Sequence, residues 1–344
     1  MITDLKPLLA KLATGLPLAE EEAQNAFDIV MSGSATPSQI GALCMGMRIR
    51  GETVDEIAGA ARSMRQKALK MESPEGAVDT AGTGGDGMGT YNVSTASAIL
   101  AAACGVPVAK HGNKAISSKT GSADVLQSLG VDINAPMELV RECLWAHNIG
   151  FFMAPRHHGA MKHVGPTRTE LGTRTIFNLL GPLSNPANTK RQLVGVFDQK
   201  WCLPLAKVFG KLGAKHVWVV HGMDGMDELT ISGPSYVASY NEGEITDFEV
   251  RPEDANLKPQ DIQQLRGGDP STNSEAILSL FEGKQGAYQD IVVLNTAATL
   301  IVGGKVKSLS DGAELALEAI YSGEAQETLN KLIKISNRNP LEKS

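Results

Sequence analysis

The stretch DTAGTGGDGMGTYNVSTA, residues 79–96, decides how this chain is read. It follows the short apolar step Ala77-Val78 and leads into an alanine-rich helix. Gly82, Gly84 and Gly87 match G-x-G-x-x-G, the pattern of a dinucleotide-binding loop. With 36 glycines in 344 residues that spacing alone decides nothing. Its context does. A dinucleotide fold places an acidic residue about 20 residues on, at the end of the next strand, to hold the ribose hydroxyls. Here the next strand, Val106 to Lys110, ends in Lys110 and His111, and Lys110 lies 28 residues beyond Gly82. That is the wrong charge for a ribose diol and the right one for phosphate. The loop also carries Asp86 and the hydroxyls of Thr90, Ser94 and Thr95. A carboxylate beside a phosphate repels it unless it holds a sugar hydroxyl or a metal. The loop therefore reads as a site for a phosphorylated sugar with a divalent cation.

Working outward, strands and helices alternate after residue 76. Strands are expected at Ala77–Thr80, Val106–Lys110, Ile149–Ala154, Leu193–Phe197 and His216–His221. Helices are expected between them, at Ser94–Cys104, Ser122–Leu129, Pro136–Ala146 and Leu203–Leu212. This alternation predicts a largely parallel sheet covered by helices. Tyr236–Tyr240 and Ile245–Val250 suggest an antiparallel hairpin, and three helices close the chain at Asp290–Val302, Asp311–Ser322 and Ala325–Ile335.

Before residue 71 no strand signal appears. Leu5, Leu8, Leu9 and Leu12 recur at helical spacing. Thr36-Pro-Ser-Gln39 and Thr53-Val-Asp-Glu56 are capping-box helix starts. The polar break Met71–Ala77 is a boundary signal. The expected fold class is α/β: a small all-helical N-terminal domain plus a larger α/β domain with a mostly parallel central sheet. The expected division is 1–73, with a polar, glycine-rich return segment near 164–186, and 74–344.

Composition narrows the function. A formal charge of −6 argues against a general nucleic-acid surface. Cys44, Cys104, Cys143 and Cys202 form no C-x-x-C and read as buried free thiols. The first fifteen residues lack the features of a signal peptide, and no apolar run approaches the ~20 residues of a membrane span. A soluble cytoplasmic protein is expected, without a membrane or nucleic-acid partner.

Three further segments carry chemistry. Lys110 to Asp124 follows a strand end and gathers three lysines with Asn113, Ser117, Ser118 and Ser122, all suited to phosphate oxygens. His221 to Thr230 sets Asp227 and Glu228 side by side after a strand, a donor pair suited to magnesium. Ala154 to Pro186 holds His157, His158 and His163, whose spacing fits no zinc signature, and Arg168 and Arg174. A guanidinium grips a carboxylate with two bonds; the bland alternative pairs these arginines with Glu170 or caps a helix. Walker A and G-x-S-x-G patterns are absent, which argues against a P-loop enzyme or a serine hydrolase.

Taken together, DTAGTGGDG, the run from Asn92 to Gly130, the run from Arg156 to Ala187 and VVHGMDGMDELT resemble the anthranilate phosphoribosyltransferase family over nearly the whole chain. The resemblance implies a fold shared with pyrimidine nucleoside phosphorylases and an active site at the hinge between the two domains. It implies transfer of phosphoribosyl from phosphoribosyl pyrophosphate (PRPP) to anthranilate in tryptophan biosynthesis, magnesium as cofactor, and a homodimer. Gly82, Gly85, Asp86, Thr90, Asn92, Val93, Ser94 and Thr95 would hold PRPP. Lys110, His111, Gly112, Asn113, Lys114, Ala115, Ile116, Ser117, Ser118 and Ser122 would continue that site. Ser94, Asp227 and Glu228 would serve magnesium. Gly82, Asn113 and Arg168 would contact anthranilate, with His111 and His158 lining its approach. No nucleophile or general base is implied. A nucleoside phosphorylase and a catalytically silent relative that binds nucleic acid are the alternatives. The paired carboxylates and the acidic balance argue against both.

Overall fold

The computed structural model describes residues 4–115 and 119–339. Helices α1 (Lys6–Ala13), α2 (Glu20–Met31), α3 (Pro37–Arg50) and α4 (Val54–Lys67) come first. The expected starts hold. The Thr36 hydroxyl accepts from the Gln39 N–H at 3.3 Å, and the Gln39 side chain accepts from the Thr36 N–H at 3.0 Å. Thr53 and Glu56 repeat the arrangement. Each pairing satisfies N–H groups that a helix start leaves without partners.

The remainder runs β1 (Val78–Gly82), α5 (Val93–Ala103), β2 (Val108–Gly112), α6 (Ser122–Ser128), α7 (Met137–His147), β3 (Ile149–Met153), α8 (Ala154–His157), α9 (Gly165–Leu171), α10 (Phe177–Leu183), β4 (Arg191–Gly195), α11 (Cys202–Lys211), β5 (His216–Gly222), β6 (Ser235–Asn241), β7 (Glu244–Val250), α12 (Pro270–Phe281), α13 (Ala287–Gly303), α14 (Leu309–Tyr321) and α15 (Glu324–Ser336). The strands form one sheet in the order β3-β2-β1-β4-β5-β6-β7. The first five are parallel, and β6 and β7 add as an antiparallel hairpin. Its two-residue turn, Glu242-Gly243, takes φ of +46° and +103°. Positive φ at both turn positions matches the right-handed twist of the flanking strands.

Side chains that alternate along the strands enter two apolar layers. In β5, Trp218 and Val220 join α5, α13, α14 and α15 on one face. Val217 and Val219 join α2, α3, α4, α10 and α11 on the other. The sheet thus lies between helices, as the alternation predicts. The four cysteines are free and buried.

Two segments differ from expectation. Residues 164–186, read as polar and glycine-rich, fold into α9 and α10, and Ile176, Phe177, Leu179, Leu180 and Leu183 are buried in the layer that holds α1–α4. The run from Thr175 to Leu183 is too short for a clear 3.6-residue period, and Pro182 interrupts it. Helix α12 went unassigned, although Asp269 accepts from the Thr272 N–H at 2.8 Å and Pro270 opens the helix, an ordinary start signal.

Candidate active site

Strand order places the site. From β1 the chain builds toward β2 and β3; from β4 it builds the other way toward β5. The carboxyl ends of β1 and β4 therefore flank the switch point of the sheet, where an open α/β sheet leaves a crevice. Gly82 and Gly195 end these strands and face each other in register. A Cβ on Gly195 would lie 1.6 Å from the Asp227 carbonyl oxygen, and one on Gly82 would lie 2.8 Å from Asp227 Oδ2. Two glycines side by side leave the room that the Asp227 turn occupies. Gly195 was not singled out in the sequence, since a lone glycine at a strand end carries no pattern.

The glycine loop is tied to that turn. The Gly84 N–H donates to Asp227 Oδ2 at 2.8 Å. Gly84 and Gly85 take φ of +65° and +78°, a left-handed backbone that side-chain-bearing residues rarely adopt. The Asp86 carboxylate accepts from the Met88 N–H at 3.1 Å and from the Asp227 N–H at 3.4 Å. Three carboxylates thus share one recess. Burial, then the Asp86 charge, raises Asp227 to about 7. Burial, then Asp227, raises Glu228 well above the usual carboxylate range. Among the described residues no three His, Cys, Asp or Glu side chains form a metal cage. The donor set is instead that of a cation held by one or two carboxylates, with water and substrate filling the rest. A cation there would offset the charge of Asp86 on Asp227 and of Asp227 on Glu228.

Helix α5 starts over the same recess. Asn92, at its N-cap position, makes no side-chain cap. Its amide instead donates to the Thr120 carbonyl at 3.3 Å and accepts from Asn273 at 2.9 Å. The helix start is thereby left without a side-chain cap, and such a start attracts anions. Val93 and Thr95 are buried in the first turn. The Ser94 backbone bonds the Glu228 carboxylate, and the Ser94 hydroxyl lies 3.4 Å from Lys110 Nζ.

Buried Lys110, in β2, also donates to the Thr80 carbonyl at 2.7 Å. Burial lowers its pKa, opposed by Asp79 and Glu228. Behind it, Asp79 accepts from the His111 N–H at 3.1 Å and from Asn185 at 2.7 Å. Burial raises Asp79 to about 6, opposed first by Lys110. The His111 and His158 rings stand 5.1 Å apart. Burial brings them down to about 3 and about 4, so both are neutral, and among the described residues each keeps a buried Nε2 without a partner.

The loop after β2 approaches α6 closely. A Cβ on Gly112 would lie 2.2 Å from Ser122 Oγ, and Ser122 donates to the Asn113 carbonyl at 3.3 Å. Asp124, given no role from sequence, accepts from the Ala115 and Gly121 N–H groups at 2.8 and 2.9 Å. One carboxylate thus pins both ends of the loop. Lys114 is exposed at its edge. Ile116, Ser117 and Ser118 lie outside the described residues. Thr90 bridges to Arg266, and Gly267 donates to the Gly89 carbonyl at 2.9 Å. The 264–268 segment that braces the glycine loop was not anticipated.

Arg168 belongs to α9. Its guanidinium stands 5.6 Å from the Phe177 ring in the helical layer, and burial lowers its pKa. Among the described residues it makes no ion pair, so the expected alternative of pairing with Glu170 does not hold. A half-buried cation without a carboxylate is a feature that an anionic ligand would complete.

Two family descriptions match the chain: the helical bundle domain of a glycosyl transferase family over residues 6–68, and its a/b domain over residues 74–326. The anthranilate phosphoribosyltransferase of Paramagnetospirillum magneticum is 59% identical over 97% of this chain and 96% of its own length. That of Azospirillum brasilense is 58% identical over 98% and 94%. The crystal structure of the Thermus thermophilus anthranilate phosphoribosyltransferase superposes with a TM-score of 0.91 at 41% identity, covering 96% of this chain and 99% of its own. The Saccharomyces cerevisiae anthranilate phosphoribosyltransferase in complex with PRPP and Mg superposes with a TM-score of 0.86 at 25% identity, covering 97% and 99%. With its sequence matched along nearly its full length and its fold shared, this chain belongs to the anthranilate phosphoribosyltransferase family.

Proposed function

We propose that the chain transfers the phosphoribosyl group of PRPP to the amine of anthranilate, giving N-(5-phosphoribosyl)anthranilate and pyrophosphate, as a step of tryptophan biosynthesis. The observation that carries this reading beyond family membership is the convergence of the glycine turn, Lys110 and the Asp227-Glu228 pair at the switch point of the sheet. That set is suited to a polyphosphate with a divalent cation and unsuited to a dinucleotide.

Gly82, Gly85, Asp86, Thr90, Asn92 to Thr95, Lys110 to Ser118 and Ser122 are proposed to hold PRPP. Asp227, Glu228 and Ser94 would hold magnesium, which when bound offsets the charge that develops on departing pyrophosphate. The Lys110 amine, beside Ser94, would donate to oxygens of the same pyrophosphate. The aryl amine of anthranilate carries a free lone pair at neutral pH, so no base is needed to activate it. The C–O bond from the anomeric carbon to pyrophosphate would break through an oxocarbenium-like state as the C–N bond to the amine forms, and the amine would then lose one proton to the departing pyrophosphate or to water. The chain's part is to align the amine with that carbon. Gly82, Asn113 and Arg168 would orient anthranilate, with Arg168 matching its carboxylate. The neutral rings of His111 and His158 would line the approach without competing for a proton.

The proposed division is a helical domain, 1–73 with the return segment 164–186, and an α/β domain, 74–344. Helices α10 and α1–α4 share one apolar layer, which supports placing the return segment with the first four helices and also takes in β4, β5 and α11. A homodimer and a cytoplasmic location complete the proposal. Ile49 and Leu16 are 80% and 56% exposed on the helical side, and no described helix is long and apolar enough to cross a membrane.

The test is loss of anthranilate fluorescence on adding PRPP and magnesium, with pyrimidine nucleoside plus inorganic phosphate as a second arm. Turnover in the first arm alone supports the proposal. Phosphorolysis in the second arm without the first replaces it with the phosphorylase reading.

A further inference from the structure

Arg174 lies between α9 and α10, in the segment that returns from the helical layer, and its side chain crosses to the sheet side. The guanidinium donates from Nη2 to the Gly85 carbonyl. Its carbon stands 4.2 Å from the centroid of the Phe197 ring, close enough for the ring face to attract the cation. Phe197 is itself fixed to the glycine loop, because its N–H donates to Thr83 Oγ1 at 3.0 Å. Among the described residues Arg174 has no carboxylate partner. Arg174, Phe197, Thr83 and Gly85 therefore close a ring of contacts around the outer side of the turn.

The consequence is directional. No peptide bond here is cis, and a planar trans peptide points its C=O and the following N–H to opposite sides. A Gly85 carbonyl held by Arg174 fixes the Asp86 N–H on the opposite side of that peptide. Among the described residues that N–H has no acceptor. Asp227 fixes the same turn from the inside, by accepting from the Gly84 N–H. The left-handed Gly84 and Gly85 would otherwise be the part of the loop most free to flip, since glycine populates both signs of φ.

We infer that Arg174 is a positioning residue for the phosphoribosyl donor: it clamps the Gly85 peptide so that the Asp86 N–H faces a phosphate oxygen of the bound ligand. It touches neither the ligand nor the acceptor. The inference rests on the proposed PRPP site and adds to it the group that sets the loop before ligand arrives.

The experiment compares wild type, Arg174→Lys and Arg174→Ala by two readouts. The first is amide exchange at residues 84–88 in the ligand-free protein. It requires no activity, so it remains informative if the proposed reaction fails in the wild type. The second is the pair of Michaelis constants. Loss of a charge-assisted bond predicts a rise of about tenfold in KM for PRPP with Arg174→Ala, KM for anthranilate within twofold, and faster exchange at 84–88. Arg174→Lys keeps the charge without the planar stack and falls between. A wild-type enzyme that turns over, with exchange and KM for PRPP unchanged in Arg174→Ala, overturns the inference. So does a selective rise in KM for anthranilate, which would make Arg174 an acceptor contact.

Discussion

Burial first, then neighbouring carboxylate charge, holds Asp227 and Glu228 above the ordinary carboxylate range: Asp86 acts on Asp227, and Asp227 acts on Glu228. A cation is the group that resolves this. Replacing both with alanine is expected to lower turnover roughly a hundredfold or more, as lost metal assistance is worth several kcal/mol. Circular dichroism should stay native, and the magnesium requirement should move to much higher concentration. Wild-type turnover in the double variant would reduce the pair to an acidic turn. Asp79 gives a pH signature of a different kind. Burial raises it to about 6, above the unfolded value of about 3.9. Its contribution to stability is thus full below about pH 4 and is lost as pH rises through about 6. The stability advantage of wild type over Asp79→Asn should therefore shrink between pH 4.5 and pH 8 in denaturant titrations. A gap that widens with pH would contradict the assignment. Asp79 was legible as the start of the opening stretch, but its partner Asn185 lies 106 positions away. No local pattern joins the two.

At the scale of elements, the site depends on the facing ends of β1 and β4. The first was legible, because its glycines cluster and lysine replaces the ribose-binding acid on the next strand. The second was not, because Gly195 matters only through what packs on it. Gly195→Ala puts a methyl group where the Asp227 backbone lies, and backbone cannot step aside as a flexible side chain can. The variant should weaken magnesium dependence and PRPP binding together, and lower Tm. Unchanged magnesium titration and Tm would mean that the turn relaxes at no cost. The same contrast separates the other elements. Capped, periodic helices such as α3 and α4 could be read from Thr36 and Thr53. The short α9 and α10 could not, because their apolar residues make sense only against the layer that receives them. Arg174 is legible in the sequence only as a charge, while its contact with Gly85 is a tertiary fact.

At the scale of the whole molecule, the proposed site draws on both layers. Asp227, Lys110 and the glycine turn belong to the sheet, and Arg168 rests over Phe177 among the helices. The domain order was legible from the change of period near residue 71. The place of Arg168 over Phe177 was not, since it is set by tertiary packing. Arg168→Ala is expected to raise KM for anthranilate roughly ten- to a hundredfold, the effect of losing about 1.5–3 kcal/mol of charge-assisted bonding. KM for PRPP should change far less. A lowered Tm with unchanged anthranilate kinetics would instead assign Arg168 to the fold. The central claim is the transfer itself. The most direct measurement counts pyrophosphate released against anthranilate consumed, with PRPP and magnesium present and each omitted in turn. One pyrophosphate per anthranilate, and none when any component is missing, is the predicted result. Anthranilate left intact while the folded protein is supplied with PRPP and magnesium would contradict it.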